Sequence, residues 1–231
     1  MRKVLTIPAM IAALYVSQVG ATHAEICNAD KYGGLVCGDG DKALRVIDNT
    51  TSPSGKFAFA WRSADGVASG GQIAPDGVEN ILIRLADGTV LGRLGGTYWA
   101  NGEMRANRYD VIAAWSRDSR AVIEVSNDRW DTYSLAYYAV DREDKAAALD
   151  LRALVEPALK AKLPPSKRES HSFRVREDLP VKLDSGGRAV FTAMLYVPKA
   201  ETSLDYSVRV DIAPRQGKPT ARIVSMRRRR E

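Results

Sequence analysis

A polar turn that recurs three times along the chain is the strongest constraint on its fold. In each copy, small polar residues or glycine lead to one basic residue, and an apolar run follows: Ser52–Lys56 precedes FAFAW, Ser116–Arg120 precedes AVIEV, and Asp184–Arg188 precedes AVFTA. Glycine, serine and aspartate favour tight turns, whereas runs rich in β-branched and aromatic residues favour strands. The basic residues fall at 56, 120 and 188, so we expect three related strand–turn–strand units.

Alternation of apolar and polar residues surrounds these turns and predicts further strands. Asp87-Gly88, between two such runs, is a strong hairpin signal. We expect strands over Leu44–Asp48, Ile81–Leu85, Thr89–Leu94, Val111–Trp115, Thr132–Val140, Phe173–Val181, Leu204–Ile212 and Thr220–Met226. The sequence therefore predicts a mainly β protein built from antiparallel meanders.

One segment, near 143–163, has helical periodicity instead. Its apolar residues recur at the spacing of one helical face, with Pro157 inside the pattern and Pro164-Pro165 at its end: Leu151, Leu154, Val155, Ala158 and Leu159. We expect one inserted helix, in the place of the fourth strand of the second unit. The polar segment that follows, 163–172, is the candidate boundary within a β-rich domain over 25–226.

The turn Trp115-Ser116-Arg117-Asp118-Ser119-Arg120 resembles the Trp-Ser-Pro-Asp-Gly-Lys turn of exported TolB-like β-propellers and WD-repeat proteins, and SPSGKFAFAW (52–61) resembles it at a second place. The resemblance points to no specific family, but it implies meanders arranged as propeller blades. Three units are fewer than the roughly 4–8 blades that close a ring. We therefore expect a partial or open propeller, with a β-sandwich carrying a helical insertion as the alternative.

Residues 1–24 have the pattern of a secretory signal peptide. Arg2-Lys3 is followed by an apolar run to Val16 and by small residues up to Ala24. The apolar run is shorter than the roughly 20 residues of a membrane-spanning helix, and no later segment resembles one. We expect cleavage after Ala21 or Ala24 and a soluble protein that is periplasmic or secreted.

Export changes the interpretation of the two cysteines. Cys27 and Cys37 enclose a short segment that contains Gly33-Gly34, which is flexible enough to close a loop. Nearby cysteines in an oxidising compartment usually pair, so we predict a structural disulfide. A metal pair and redox-active thiols are the alternatives, but the segment has no nearby histidine and no Cys-x-x-Cys spacing. No metal or cofactor is predicted.

The formal net charge of +6 is concentrated at the two ends. Arg2-Lys3 contributes two positive charges, and 227–231 contributes a net three, which leaves about +1 for residues 25–226. Charges of both signs alternate along that body, as on an ordinary solvated surface, so we predict no nucleic-acid partner. We expect the basic tail at 227–231 to fray as a solvated tail, and contact with anionic surfaces is the alternative.

No catalytic motif stands out. The chain has neither a Gly-x-Ser-x-Gly elbow nor a phosphate-binding loop of the Gly-x-x-x-x-Gly-Lys type. Glu124, Asp128 and Asp131 near Trp130 leave open a secreted hydrolase that uses carboxylates.

Five aromatic residues are the candidates for a binding surface, since tyrosine and tryptophan combine an apolar ring with a polar group: Tyr98, Trp99, Trp130, Tyr133 and Tyr137. We therefore expect a non-enzymatic exported protein that binds an unknown protein or envelope ligand. The hydrolase and an inhibitor- or chaperone-like module are the alternatives.

Overall fold

The computed structural model describes residues 27–31, 33–40, 43–63, 77–101, 104–106, 109–197, 203–215 and 218–229. The predicted signal peptide, residues 1–24, lies outside the described residues. The described chain forms three main antiparallel sheets and one α-helix, so the mainly β fold class is confirmed. These sheets are open, which fits a partial propeller or a sandwich.

Sheet 1 is a six-stranded meander whose strand order follows the chain. Its strands are β1 (Cys27–Ala29), β2 (Leu35–Cys37), β3 (Leu44–Val46), β4 (Phe57–Ser63), β5 (Val78–Arg84) and β6 (Val90–Arg93). A disulfide joins Cys27 to Cys37 at directly opposed positions of β1 and β2, as the sequence predicts. A short ribbon follows, with β7 (Ala100–Asn101) paired to β8 (Met104–Arg105).

Sheet 2 has four strands, again in chain order. They are β9 (Asp110–Trp115), β10 (Ala121–Asn127), β11 (Thr132–Val140) and β12 (Ala146–Asp150). Every residue of β10 is buried, because this strand contributes Val122 to the core against sheet 1 and Ile123 and Val125 to the core against sheet 3. Burial on both faces explains why AVIEV reads as a nearly continuous apolar run.

Sheet 3 has five strands, and β15 lies between β16 and the two short strands β13 and β14. The strands are β13 (Ser172–Val175), β14 (Lys182–Leu183), β15 (Arg188–Tyr196), β16 (Ser203–Arg215) and β17 (Lys218–Arg228). The single strand expected over Phe173–Val181 is therefore too long. Residues 176–181 form a turn between β13 and β14. Pro180 in that turn has no amide hydrogen and cannot donate a hydrogen bond to a neighbouring strand.

The helix α1 (Arg152–Lys160) is present, but it does not replace the fourth strand of sheet 2. That prediction is wrong because Ala146–Asp150 pairs with β11 as β12, and the helix begins directly afterwards. Leu151, Val155 and Leu159 are buried in the core between sheets 2 and 3, which confirms the predicted apolar face. Within the described ranges, no helix is long and apolar enough to cross a membrane.

The three repeated turns share one backbone geometry. The residue before each basic residue has positive φ, at Gly55 (70°), Ser119 (59°) and Gly187 (80°). The amide of each of these residues donates to the carbonyl three positions earlier, over 2.9, 2.9 and 3.1 Å in that order. The repeat seen in the sequence is thus a structural repeat, with one copy for each sheet.

The C-terminal arginines extend sheet 3. The sequence predicts a frayed tail at 227–231, but Arg227 and Arg228 pair with Ser207 and Tyr206 in the ladder between β16 and β17. The amide of Arg229 also donates to the carbonyl of Asp205 (2.8 Å). The expectation of a frayed tail is therefore wrong for these three residues.

Candidate functional site

The predicted aromatic candidates lie at three separate places. Tyr98 and Trp99 lie between β6 and β7, and both pack partly buried against the core between sheets 1 and 2. The amide side chain of Asn80 fixes this loop, because it donates to the Tyr98 carbonyl (2.6 Å) and accepts from the Tyr98 amide (2.7 Å). These two hydrogen bonds fix the backbone of the loop that carries both rings.

Tyr133 lies against the same loop, so the structure brings it near Tyr98. Its hydroxyl oxygen accepts the Thr97 amide hydrogen (2.8 Å), and its ring packs edge-on against Tyr109 with centroids 6.0 Å apart. Tyr137 is different, because it is buried in the core between sheets 2 and 3. Burial removes Tyr137 from any binding surface of this conformation.

Trp130 lies in the turn between β10 and β11, and its side chain is exposed (38%). The Arg129 guanidinium lies 4.3 Å from the centroid of its ring. The Tyr196 hydroxyl donates to the Trp130 carbonyl, which joins this turn to the end of β15. Trp130 is thus an exposed aromatic group beside one end of sheet 3.

The carboxylates considered for hydrolysis do not form a shared site. Glu124 is fully buried between sheets 1 and 2, where it accepts hydrogen bonds from Ser126 Oγ (2.8 Å) and the Tyr138 hydroxyl (3.0 Å). Asp128 instead accepts the amides of its own turn, and Asp131 accepts the Phe173 amide (3.3 Å). Burial raises the pKa of Glu124, although the hydrogen bonds that it accepts act in the opposite direction.

A row of arginines covers the face of sheet 3 that is turned away from the core. Since opposed residues of an antiparallel pair share a face, the register places Arg209 beside Ser225, Ser207 beside Arg227, and Asp211 beside Arg222. The core residues of the same strands, Val208 and Val210, point to the opposite side. We call this surface the arginine face, and its arginines are Arg176, Arg188, Arg209, Arg222, Arg227 and Arg229.

Three carboxylates of this face pair with part of the row. Asp211 contacts Arg188 (3.4 Å) and Arg222 (3.0 Å), and Asp205 contacts Arg176 (2.6 Å). Asp178 also contacts Arg176 (2.6 Å). The register also places the exposed Lys182 on this face, since it lies opposite Val190 and Val190 lies opposite Arg209. Six arginines and one lysine thus face three carboxylates, which leaves an excess of four positive charges.

Two arginines of the face, one on β16 and one on the edge strand β17, carry that excess most clearly. Arg209 and Arg227 are exposed and form no ion pair with any described residue. The Arg229 guanidinium donates to Thr192 Oγ1 (3.0 Å), and the Arg222 side chain is 78% exposed. The face therefore offers guanidinium groups with free hydrogen-bond donors along two neighbouring strands.

Sequence reasoning placed the arginines of 227–230 in a tail and did not recognise the face. The available signal was the alternation in LDYSVRVDI, in which Asp205, Ser207, Arg209 and Asp211 fall on one side of the strand. The opposing residues on β17 could not be aligned from the sequence, because a bulge shifts the register between Arg209 and Val210.

No protein-family model matches the sequence, and no curated protein matches it. The class of this protein is therefore described by its fold alone. It is an open arrangement of three antiparallel sheets, and sheet 3 carries a charged outer face. Within the described ranges, no group of three or more His, Cys, Asp or Glu side chains is placed to hold a metal ion.

Proposed function

We propose that this is an exported, non-enzymatic binding protein that holds an acidic polysaccharide of the cell envelope on its arginine face. The observation that carries the proposal is that Arg209 and Arg227, on the neighbouring strands β16 and β17, are exposed and form no ion pair with a described residue. Export rests on the signal-like pattern of residues 1–24, and the Cys27–Cys37 disulfide is compatible with it.

The residue types favour carboxylate or phosphate groups as the ligand chemistry. Apart from Lys182, the exposed cations of the face are arginines, and a planar guanidinium binds such groups through two parallel hydrogen bonds. Residues two apart on a strand are spaced by about 6–7 Å. The arginines of β16 and β17 therefore form a track for a linear ligand whose charges repeat.

The surroundings favour a polysaccharide over a lipid bilayer. The exposed ring of Trp130 lies beside the Tyr196 end of sheet 3, and an aromatic ring offers an apolar surface to a sugar. On the strands of the face, Val224 is the exposed large hydrophobic residue among those described (43%). A surface that inserts into a bilayer needs a larger apolar area than this.

Titration with two glycans tests the proposal. Polygalacturonate carries a carboxylate on each sugar, and dextran is neutral. We expect saturable binding to polygalacturonate and none to dextran, with affinity falling steeply between about 50 and 500 mM salt because exposed charges are screened. Equal binding to both glycans, or no binding to either, would contradict the proposal.

Paired variants locate the surface. Arg209→Gln with Arg227→Gln removes two positive charges from the face, and Arg117→Gln with Arg142→Gln removes two from exposed, unpaired positions elsewhere. At about 1 kcal/mol for each basic residue near a charged surface, the first pair weakens binding by about 10- to 30-fold. The second pair leaves it within about twofold. Vesicles of phosphatidylglycerol provide the alternative probe. Preferential binding to these vesicles would show that the ligand of the face is an anionic membrane and not a polysaccharide.

A further inference from the structure

A small polar pocket lies on sheet 1. Its volume is about 160 Å³, and its lining includes residues 33–36 of the disulfide-closed hairpin and Tyr98. Arg45, Asp48 and Trp61 also line it. Sites for drug-sized ligands are typically about 300–1,000 Å³, so this volume suits a smaller molecule.

Arg45 is the cation of the pocket. It lies directly opposite Trp61 in the ladder between β3 and β4, and its guanidinium carbon is 5.3 Å from the centroid of the indole ring. Contact with the ring of Trp61, which is fully buried, restricts the guanidinium orientation. Arg45 has no ion pair or hydrogen bond with any described residue, so its donors are available to a ligand.

Asp48 is one of two carboxylates that line the pocket. It follows β3 and is exposed, and it forms no ion pair or hydrogen bond with the described residues. Asp30 also lines the pocket, and its carboxylate accepts the Gly34 amide hydrogen (2.9 Å). Arg45 and Asp48 are therefore the two charged side chains of the lining that form no ion pair or hydrogen bond with a described residue. Burial, and secondarily the charge of Asp48, raises the pKa of Tyr98, so its hydroxyl stays a neutral hydrogen-bond donor at ordinary pH.

We propose that this pocket binds a free α-amino acid. The ligand carboxylate pairs with Arg45, the ligand ammonium group pairs with Asp48, and the Tyr98 hydroxyl is the neutral donor of the lining. Two unpaired charges of opposite sign match a zwitterion better than they match an ion of either sign alone. The pocket shares no residue with the arginine face, so the inference does not depend on the polysaccharide proposal.

Saturation-transfer NMR on the intact protein tests this with three related probes. L-alanine carries both charges, N-acetyl-L-alanine retains the carboxylate, and L-alaninamide retains the ammonium group. We expect saturable binding of L-alanine and at least tenfold weaker binding of each blocked compound. Equal binding of the three compounds, or no saturable signal up to about 10 mM L-alanine, would overturn the proposal.

Variants separate the two charges from general effects on folding. Arg45→Gln and Asp48→Asn each remove one charge, and each is expected to weaken L-alanine binding at least tenfold. Asp48 is exposed, so its substitution leaves the fold intact and keeps the test decisive if Arg45→Gln fails to fold. Asp39→Asn and Arg117→Gln remove the same charges outside the pocket lining and leave binding unchanged. Unaltered binding in Asp48→Asn would contradict the assigned partner of the ammonium group.

Discussion

The backbone amide of Ser54 donates a hydrogen bond to Ser119 Oγ over 3.0 Å, which joins the first repeated turn directly to the second. A second bond runs in parallel, since Trp115 Nε1 donates to the Thr50 carbonyl (2.7 Å). Sheets 1 and 2 are therefore held together by equivalent parts of two repeated units. This is the arrangement expected of neighbouring blades, although the sheets do not close into a ring within the described chain.

The basic residues of these two turns share one acceptor. Lys56 Nζ lies 2.8 Å from an Asp144 carboxylate oxygen, Arg120 lies 3.3 Å from the other oxygen, and Arg84 contacts Asp144 at 3.0 Å. Asp144 belongs to the turn between β11 and β12 and is nearly buried by this contact. One carboxylate thus links sheet 1 to sheet 2 through the basic position of the repeat.

Asp144→Asn is expected to lower the free energy of unfolding by about 1 kcal/mol, the upper end of the range for partly exposed ion pairs. Urea unfolding measures it, and the effect should shrink as salt rises because Lys56 and Arg120 are partly exposed. Glu143→Gln is the matched control, since Glu143 pairs with Lys145 at the exposed surface. A loss in the control equal to that in Asp144→Asn would show that the shared acceptor has no special effect.

The repeat and the helix face could be predicted because their signals are local. Turn residues and the basic position recur in sequence, and Leu151, Val155 and Leu159 mark a helical face without reference to the rest of the chain. The strand β12 could not be found in this way, because Ala146–Asp150 (AAALD) has neither strong alternation nor β-branched residues. Pairing with β11, which places Ala148 opposite Tyr138, decides its conformation.

The candidate sites depend on contacts between distant segments. Asp48 and Tyr98 line one pocket although 50 positions separate them. Arg209 and Arg227 share a face through the register of two long strands, and that register includes a bulge. Neither relationship leaves a pattern in the sequence. Single candidates such as Tyr98 and Trp130 can therefore be identified from the sequence, but the residues that surround them in the structure cannot.

Gly187→Ala is expected to be strongly destabilising. Gly187 has φ +80°, and a Cβ atom there would lie 2.1 Å from the Ile212 carbonyl oxygen, which belongs to the backbone of β16. The residues would have to separate, which breaks the 2.8 Å bond from the Ile212 amide to the Gly187 carbonyl. Strain in the left-handed region and overpacking together cost about 3 kcal/mol.

Gly55→Ala provides the comparison for Gly187→Ala. Gly55 occupies the same position of the first turn with φ +70°, but a Cβ atom there would meet no heavy atom within 4 Å. We expect a cost of about 1 kcal/mol from the backbone conformation alone. Thermal unfolding of both variants measures the difference, and equal losses of stability would show that the contact with β16 does not matter.

Cys27→Ser combined with Cys37→Ser should destabilise the hairpin formed by β1 and β2. The disulfide closes a short loop, because the cysteines are 10 positions apart, and the loss is at most about 3 kcal/mol. Hydrogen exchange should show the loss in residues 27–37 first, since this hairpin lies at the edge of sheet 1. Unchanged exchange in the hairpin would mean that strand pairing alone holds it.

Glu124 should make the stability of the fold depend on pH. Burial raises its pKa, so the folded protein binds the Glu124 proton more tightly than the unfolded chain does. Stability is therefore lost as pH rises above the unfolded value of about 4.3 towards the raised folded value. Glu124→Gln removes this loss, since its amide can donate to Ser126 and accept from Tyr138.

Urea unfolding at about pH 5 and about pH 8 measures the predicted effect of Glu124→Gln. The variant should be at least as stable as the natural protein at the higher pH, and its advantage should shrink at the lower pH. Glu124→Ala should instead lose about 2–3 kcal/mol at the lower pH, because it leaves a cavity and buried donors without an acceptor. If Glu124→Gln loses more stability at the higher pH than at the lower pH, the buried carboxyl is ionised in the folded protein and the predicted sign is wrong.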